Sequence, residues 1–117
     1  MRRDLIIMSV AVSVGMSGAA VAHHGWGSYD ASKIMALETS ITRLEWQNPH
    51  VHVAVNHDGG SWDVVLAPPF RMDARGLSPE AIKSGTRVRL EGYPSTRVER
   101  ELRAERIVVG GKTYELR

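Results

Sequence analysis

Apolar and polar residues alternate through most of the chain after residue 34, and this alternation predicts a β protein. Met35, Leu37, Thr39 and Ile41 fall on one side while Glu38 and Ser40 fall on the other, the period of a half-buried strand. Leu44 and Trp46 then occupy even positions, so the parity switches. A bulge at Thr42-Arg43 is the expected cause, bending one long strand and re-aiming its side chains. Asn48-Pro49 interrupts pairing, because proline has no N–H to give a ladder. Val51, Val53 and Val55 form the next inward face, which leaves His50, His52 and Asn56 on the outer one. Asn56-His57-Asp58-Gly59-Gly60 has hairpin-turn chemistry and leads into a strand marked by Trp62, Val64 and Leu66.

Pro68-Pro69 ends that strand, and the pattern changes. Phe70 to Ala74 reads as a short helix stopped by Gly76. Ser78-Pro79-Glu80 reads as an N-cap with proline at the first helical position, opening a second helix that ends by Gly85. Val88 and Leu90 mark a fourth strand and Leu102 to Val109 a fifth, and Gly110-Gly111 turns the chain into a short tail strand around Tyr114 and Leu116. Three meandering strands, a helical connection and two further strands are the order of an OB-fold barrel. A long bent first strand suits it, since closing a small barrel asks one strand to serve both sheets. The fold expected is therefore all-β with a short helical connection, an OB-like five-stranded barrel, with an open β-sandwich as the alternative.

The N-terminus has a different character. Arg2-Arg3 precede an apolar run from Leu5 to Val14, and Ala20-Val21-Ala22 places small residues where signal peptidase reads them. The run is shorter and more interrupted than the roughly 20 apolar residues a spanning helix needs. Residues 1–22 are thus expected to be a cleaved signal peptide, using the general secretory route rather than the twin-arginine one. The remainder is expected to be periplasmic or secreted, without a stable membrane anchor. Residues 23–33, rich in glycine and aromatics, read as an extended arm, and residues 34–117 as one barrel domain. Ninety-five residues suffice for one core and not for two.

Composition narrows the chemistry. Arg2, Arg3 and Asp4 leave with the signal, which takes the formal charge from +2 to +1, so electrostatics nominate no nucleic acid. The chain has no cysteine, which excludes disulfides, thiolate metal sites and thiol catalysis. Charges alternate from Arg97 to Arg106, and with Glu99, Glu101 and Glu105 interleaved they read as a solvated hairpin with cross-strand ion pairs. Glu38, Glu45 and Asp63 obey no spacing rule that pairs them, and no nucleophile elbow, phosphate loop or zinc-protease motif is present. The chain is not expected to be an enzyme.

Histidine is the remaining source of chemistry. Cleavage before His23 gives that residue a free α-amine beside its own imidazole, a chelating pair, and nitrogen-rich sites of this kind favour copper. His24 adds a second imidazole. His50 and His52, two apart on a strand, project from one face with roots roughly 6–7 Å apart. His57, in the hairpin turn, receives no role. Trp46, beside the bulge, together with Asn48, Trp26 and Tyr29, are the candidates for edging a ligand pocket, while Trp62 has inward parity and belongs to the core.

His23-His24-Gly25-Trp26-Gly27-Ser28-Tyr29-Asp30, Glu45-Trp46-Gln47-Asn48-Pro49-His50-Val51 and the later Gly92-Tyr93-Pro94 together carry a resemblance. The chain resembles the small secreted bacterial proteins grouped as domain of unknown function family 6152, over essentially the whole mature sequence. The resemblance implies no activity. It matches at His23, His24, Trp46, Asn48, Pro49 and His50, whereas position 52 is often aromatic in such proteins, so the weight among the histidines shifts to His23, His24 and His50. Two functions follow as expectations. The first is a monomeric periplasmic module that binds copper or a similar ion. For that site the arm must fold back, with Trp26 or Tyr29 against Trp46 and three imidazoles near one point. The second is a metal-free module that binds a peptide, a glycan or an envelope partner protein near Trp46 and Tyr93.

Overall fold

A computed structural model describes residues 25–117. Residues 1–22, expected to be a signal peptide, and the positions of His23 and His24 lie outside the described residues. The chain forms β1 (Met35–Glu45), β2 (His52–His57), β3 (Gly60–Val65), α1 (Pro69–Ala74), β4 (Arg87–Pro94), β5 (Glu101–Val109) and β6 (Lys112–Glu115). Short 3-10 turns occupy Trp26–Ser28 and Pro79–Ile82. β1 pairs antiparallel with β2 along one half and with β4 along the other, β2 pairs with β3, and β4 with β5. A parallel pairing of β3 with β5, Asp63 opposite Glu101 through Val65 opposite Arg103, closes the circuit. The result is the expected five-stranded OB-like barrel, with β6 as an extra strand on β5, and closure excludes the open sandwich.

The parity switch in β1 is real. Ile41 faces Val55 but Arg43 faces Ala54, so Thr42 is the extra residue and the strand bends where it leaves β4 for β2. A second bulge, between Glu91 and Gly92, bends β4 against β5. Leu37, Ile41, Val53, Val55, Val64, Leu90, Leu102 and Ile107 are wholly buried inside. Met72, Leu77 and Ile82, from the helical connection, join the same core. With no cysteine to cross-link it, the barrel depends on this packing, each buried aliphatic side chain contributing about 1.5–3 kcal/mol.

Several local expectations are corrected. The second helix is only one 3-10 turn, and Ser78 gives it no side-chain cap bond. His57 is not an exposed turn residue: it ends β2, half-buried, its ring edge-on to Trp62 at 5.8 Å. The arm is not extended throughout. Its 3-10 turn is followed by a bridge from Tyr29 to Ser95, and Asp30 N–H donates to the Pro94 carbonyl at 2.9 Å. Ion pairs do cross the strands, as in Glu91–Arg106 and Arg106–Glu115, yet Arg103 in the same alternating run is buried.

Candidate functional site

The docked arm and the adjoining ends of β2, β3 and β5 enclose a small pocket of about 160 Å³, lined by Gly25, Tyr29, His50, His52, Val65, Glu101 and Arg103. The strand pattern explains the gathering. Glu45, His52 and Val65 are consecutive partners across β1, β2 and β3, and Val65 faces Arg103 on β5. Facing residues share a side of the sheet, so this row brings His52 toward Arg103. His50 precedes β2 by two residues, where the Asn48-Pro49 break has ended the previous pairing. Val51 is tied back into the ladder by its N–H to the Ala67 carbonyl at 2.9 Å.

Each polar group in the pocket has a defined neighbour. His52 Nδ1 lies 3.0 and 3.1 Å from the two carboxylate oxygens of Asp63. That contact runs diagonally across the hairpin, since Asp63 is directly opposite Ala54. It fixes the proton on Nδ1 and leaves Nε2 as the ring nitrogen for a ligand. Tyr29 donates its hydroxyl to Glu101 Oε2 at 2.5 Å, and burial, followed by that bond, raises the phenol well above its ordinary range. Arg103 Nη2 lies 3.4 Å from His50 Nε2. A guanidinium only donates, so this contact casts His50 Nε2 as acceptor. Burial lowers the Arg103 proton affinity, and the nearby Arg71 and Arg117 charges act in the same direction.

The arm is held by aromatic and cationic contacts rather than by the surface anticipated for it. The Arg103 guanidinium carbon sits 4.4 Å from the centre of the Trp26 ring and that of Arg117 sits 4.5 Å from it. Trp26 also meets Tyr93 edge-on at 6.2 Å. The arm therefore folds back onto β4 and β5, not onto Trp46, which packs against the core; among the described residues Trp46 makes no ring contact with Trp26 or Tyr29. Tyr93, offered as a free binding aromatic, is engaged by Trp26 and donates its hydroxyl to Glu105 at 2.9 Å. Asn48 is exposed, and neither it nor Trp46 lines the histidine pocket.

The structure thus brings His50 and His52 together and puts Tyr29 beside them, while Trp26 serves to clamp the arm. Among the described residues no group of three or more His, Asp or Glu is arranged to hold a metal ion. Glu101 and Arg103 in the pocket, and Asp63 behind His52, are residues that spacing along the chain did not nominate. The hairpin register would have found Asp63, because a turn centred on Asp58-Gly59 sets Ala54 opposite Asp63 and so places His52 diagonally across from it.

The Asp63 pair has a measurable consequence. The hydrogen bond to Asp63 raises the His52 pKa above the ordinary imidazole value, against the opposing effect of burial. A raised folded-state value means the pair stabilises the fold fully below the unfolded pKa, and the gain disappears as pH rises through the folded value. In the metal-free protein, ring-proton NMR should therefore place the His52 titration above that of an unstructured histidine peptide, and Asp63→Asn should lower it. An unchanged His52 titration in Asp63→Asn would refute the pairing.

Barrel and pocket together define a class: a closed OB-like β-barrel with a small polar pocket where its N-terminal arm crosses the outer face. The chain belongs to a family of unknown function (DUF6152), whose model matches residues 11–102 and so includes the double histidine and the Trp46–His50 segment. No curated protein matches the sequence. Among solved structures, the ZRD-deleted mutant of TiaS in complex with agmatine is similar, with a TM-score of 0.52 and 16% identity. The likeness covers 74% of this chain but only 27% of that one, and it is a likeness of fold.

Proposed function

We propose that this protein is a small binding module of the cell envelope, exported through the general secretory route, that holds copper or a similar ion at the histidine pocket without catalysing a reaction. The observation that carries the reading is that Gly25, His50 and His52 line one pocket. His23 and His24 immediately precede Gly25 in the sequence, and Gly25 lines the pocket. Removal of residues 1–22 gives His23 a free amine, and amine plus imidazoles make the nitrogen-rich set that copper prefers. Asp63 then acts as the carboxylate behind a metal-ligating imidazole, the arrangement that orients such rings and raises their basicity. His50 would give a ring nitrogen to the metal by exchanging a present contact, such as that of Nε2 with Arg103.

Calorimetric titration of the protein beginning at His23 with Cu(II) and with Zn(II) tests this. One equivalent of Cu(II) should bind, with a nitrogen-rich spin-resonance signal and with higher affinity than Zn(II). Absence of saturable Cu(II) binding would refute the metal reading.

A different observation favours the metal-free alternative. A broader depression of about 660 Å³ lies on the outer face of β2 and β3, lined by Arg43, Ala54, Ser61, Trp62, Asp63, Glu99 and Arg100. OB-folds engage oligosaccharides and other extended ligands on this face. Peptide or glycan binding with no metal present, lost on Arg43→Ala and Arg100→Ala, would support that reading over the first.

A further inference from the structure

Arg103 is the one charged residue of the barrel wall that is more than nine-tenths buried, with 7% of its surface exposed. Buried charges are ordinarily paired with an opposite charge. Here the neighbours are the wrong kind. Arg103 takes part in none of the ion pairs among the described residues. Its Nε is buried with no hydrogen-bond partner. Its contacts are the faces of Trp26 and Tyr29 and a long approach to His50; the Tyr29 hydroxyl favours its charge, while two further arginines, Arg71 and Arg117, oppose it. The two carboxylates beside the pocket are already engaged, Glu101 by the Tyr29 hydroxyl and Asp63 by His52.

We infer that the pocket is an anion site, and that a small oxyanion, a carboxylate or a phosphate, is the missing partner of Arg103. The guanidinium offers a planar fork of N–H donors that matches two oxygens of such a group. His50 and His52 line the same pocket beside it. A pocket of about 160 Å³ admits an ion of only a few heavy atoms, or the charged tip of a larger molecule. The site does not depend on copper. Where both bind, the anion would neutralise the cation that otherwise opposes a metal on His50.

The experiment uses the protein beginning at His23, freed of metal by a chelator and held at constant ionic strength with chloride. Acetate, bicarbonate and inorganic phosphate are titrated separately. The readouts are the Nε–H resonances of the arginines in wild type and the fluorescence of Trp26, which stacks on Arg103. A saturable shift of one arginine Nε–H signal is expected, assigned to Arg103 by its absence in Arg103→Gln. Affinity should vanish in Arg103→Gln, fall about tenfold in Arg103→Lys, which keeps the charge and loses the fork, and stay unchanged in Arg87→Gln, an exposed arginine outside the pocket. A response to acetate and bicarbonate alone assigns a carboxylate class, and a response to phosphate alone assigns a phosphate class. Shifts that never saturate with any of the three, or saturation that persists in Arg103→Gln, would overturn the inference. Because metal is absent throughout, such a failure leaves the copper reading untouched, and failure of copper titration leaves this one untouched. If Arg103→Gln does not fold, Arg103→Lys, which also lacks the Arg103 Nε–H, supplies both the assignment and the expected loss of affinity.

Discussion

Gly92→Ala is expected to destabilise the barrel by about 3 kcal/mol, the upper range for forcing atoms into a filled interior. Gly92 is buried at the bulge where β4 shifts register against β5. A Cβ there would run into the Arg103 carbonyl oxygen and come within 2.7 Å of the Ala104 Cα. Both obstacles are backbone, so no side chain can swing aside, and relief requires separating β4 from β5. For a domain of this size the loss corresponds to a fall in Tm of roughly 12–20 °C, read by thermal denaturation. Gly59 provides the contrast. It has φ of +75° with open space around it, so alanine there pays only the left-handed backbone cost of about 1–2 kcal/mol. Equal losses at the two positions would show that close approach of β5 is not what requires Gly92. The substitution also disturbs the backbone of Arg103, so a folded remnant should bind neither metal nor anion normally.

The second large effect concerns the ligands of the proposed metal. Placing one alanine before His23 converts the amine to an amide and removes a ligand without altering any side chain. Cu(II) affinity should fall about a hundredfold, near 2.8 kcal/mol. His50→Ala and His52→Ala should each cost a similar factor, whereas His57→Ala, at the far end of β2, should cost nothing measurable. Asp63→Asn should weaken binding roughly tenfold, the lower end of what loss of an outer carboxylate does. Competition against a chromophoric chelator measures all five variants. Full affinity in the extended protein would remove the amine from the site, and full affinity in both strand variants would confine copper to the arm alone.

Much of the barrel was legible because its strands carry local patterns. Val51, Val53 and Val55 alternate cleanly, and the switch from Ile41 to Leu44 recorded a bulge that exists. The closing contact, Asp63 to Val65 against Glu101 to Arg103, left no such trace, because parallel pairing between strands far apart in sequence imposes no periodicity of its own. The site was legible to the same extent. His50 and His52 share a pocket as their two-residue spacing implied. The arm's destination was not readable, since Trp26 settles among Tyr93, Arg103 and Arg117, which come from three separated stretches of chain. Arg103 misled for a physical reason. Within an alternating run of charges it reads as solvated, but Trp26 and Tyr29 of the arm lie against it and help to shut it away from water.

The central claim is that the arm's end and the two strand histidines make one site, and paramagnetic broadening tests it most directly. Substoichiometric Cu(II) is added to the uniformly labelled protein beginning at His23, and amide signals are followed residue by residue. Signals of Gly25, His50 and His52 should disappear together at the lowest copper additions, while those of Lys112–Glu115 on β6 and of His57 persist. Loss confined to Gly25 and the arm, with His50 and His52 intact, would contradict a shared site.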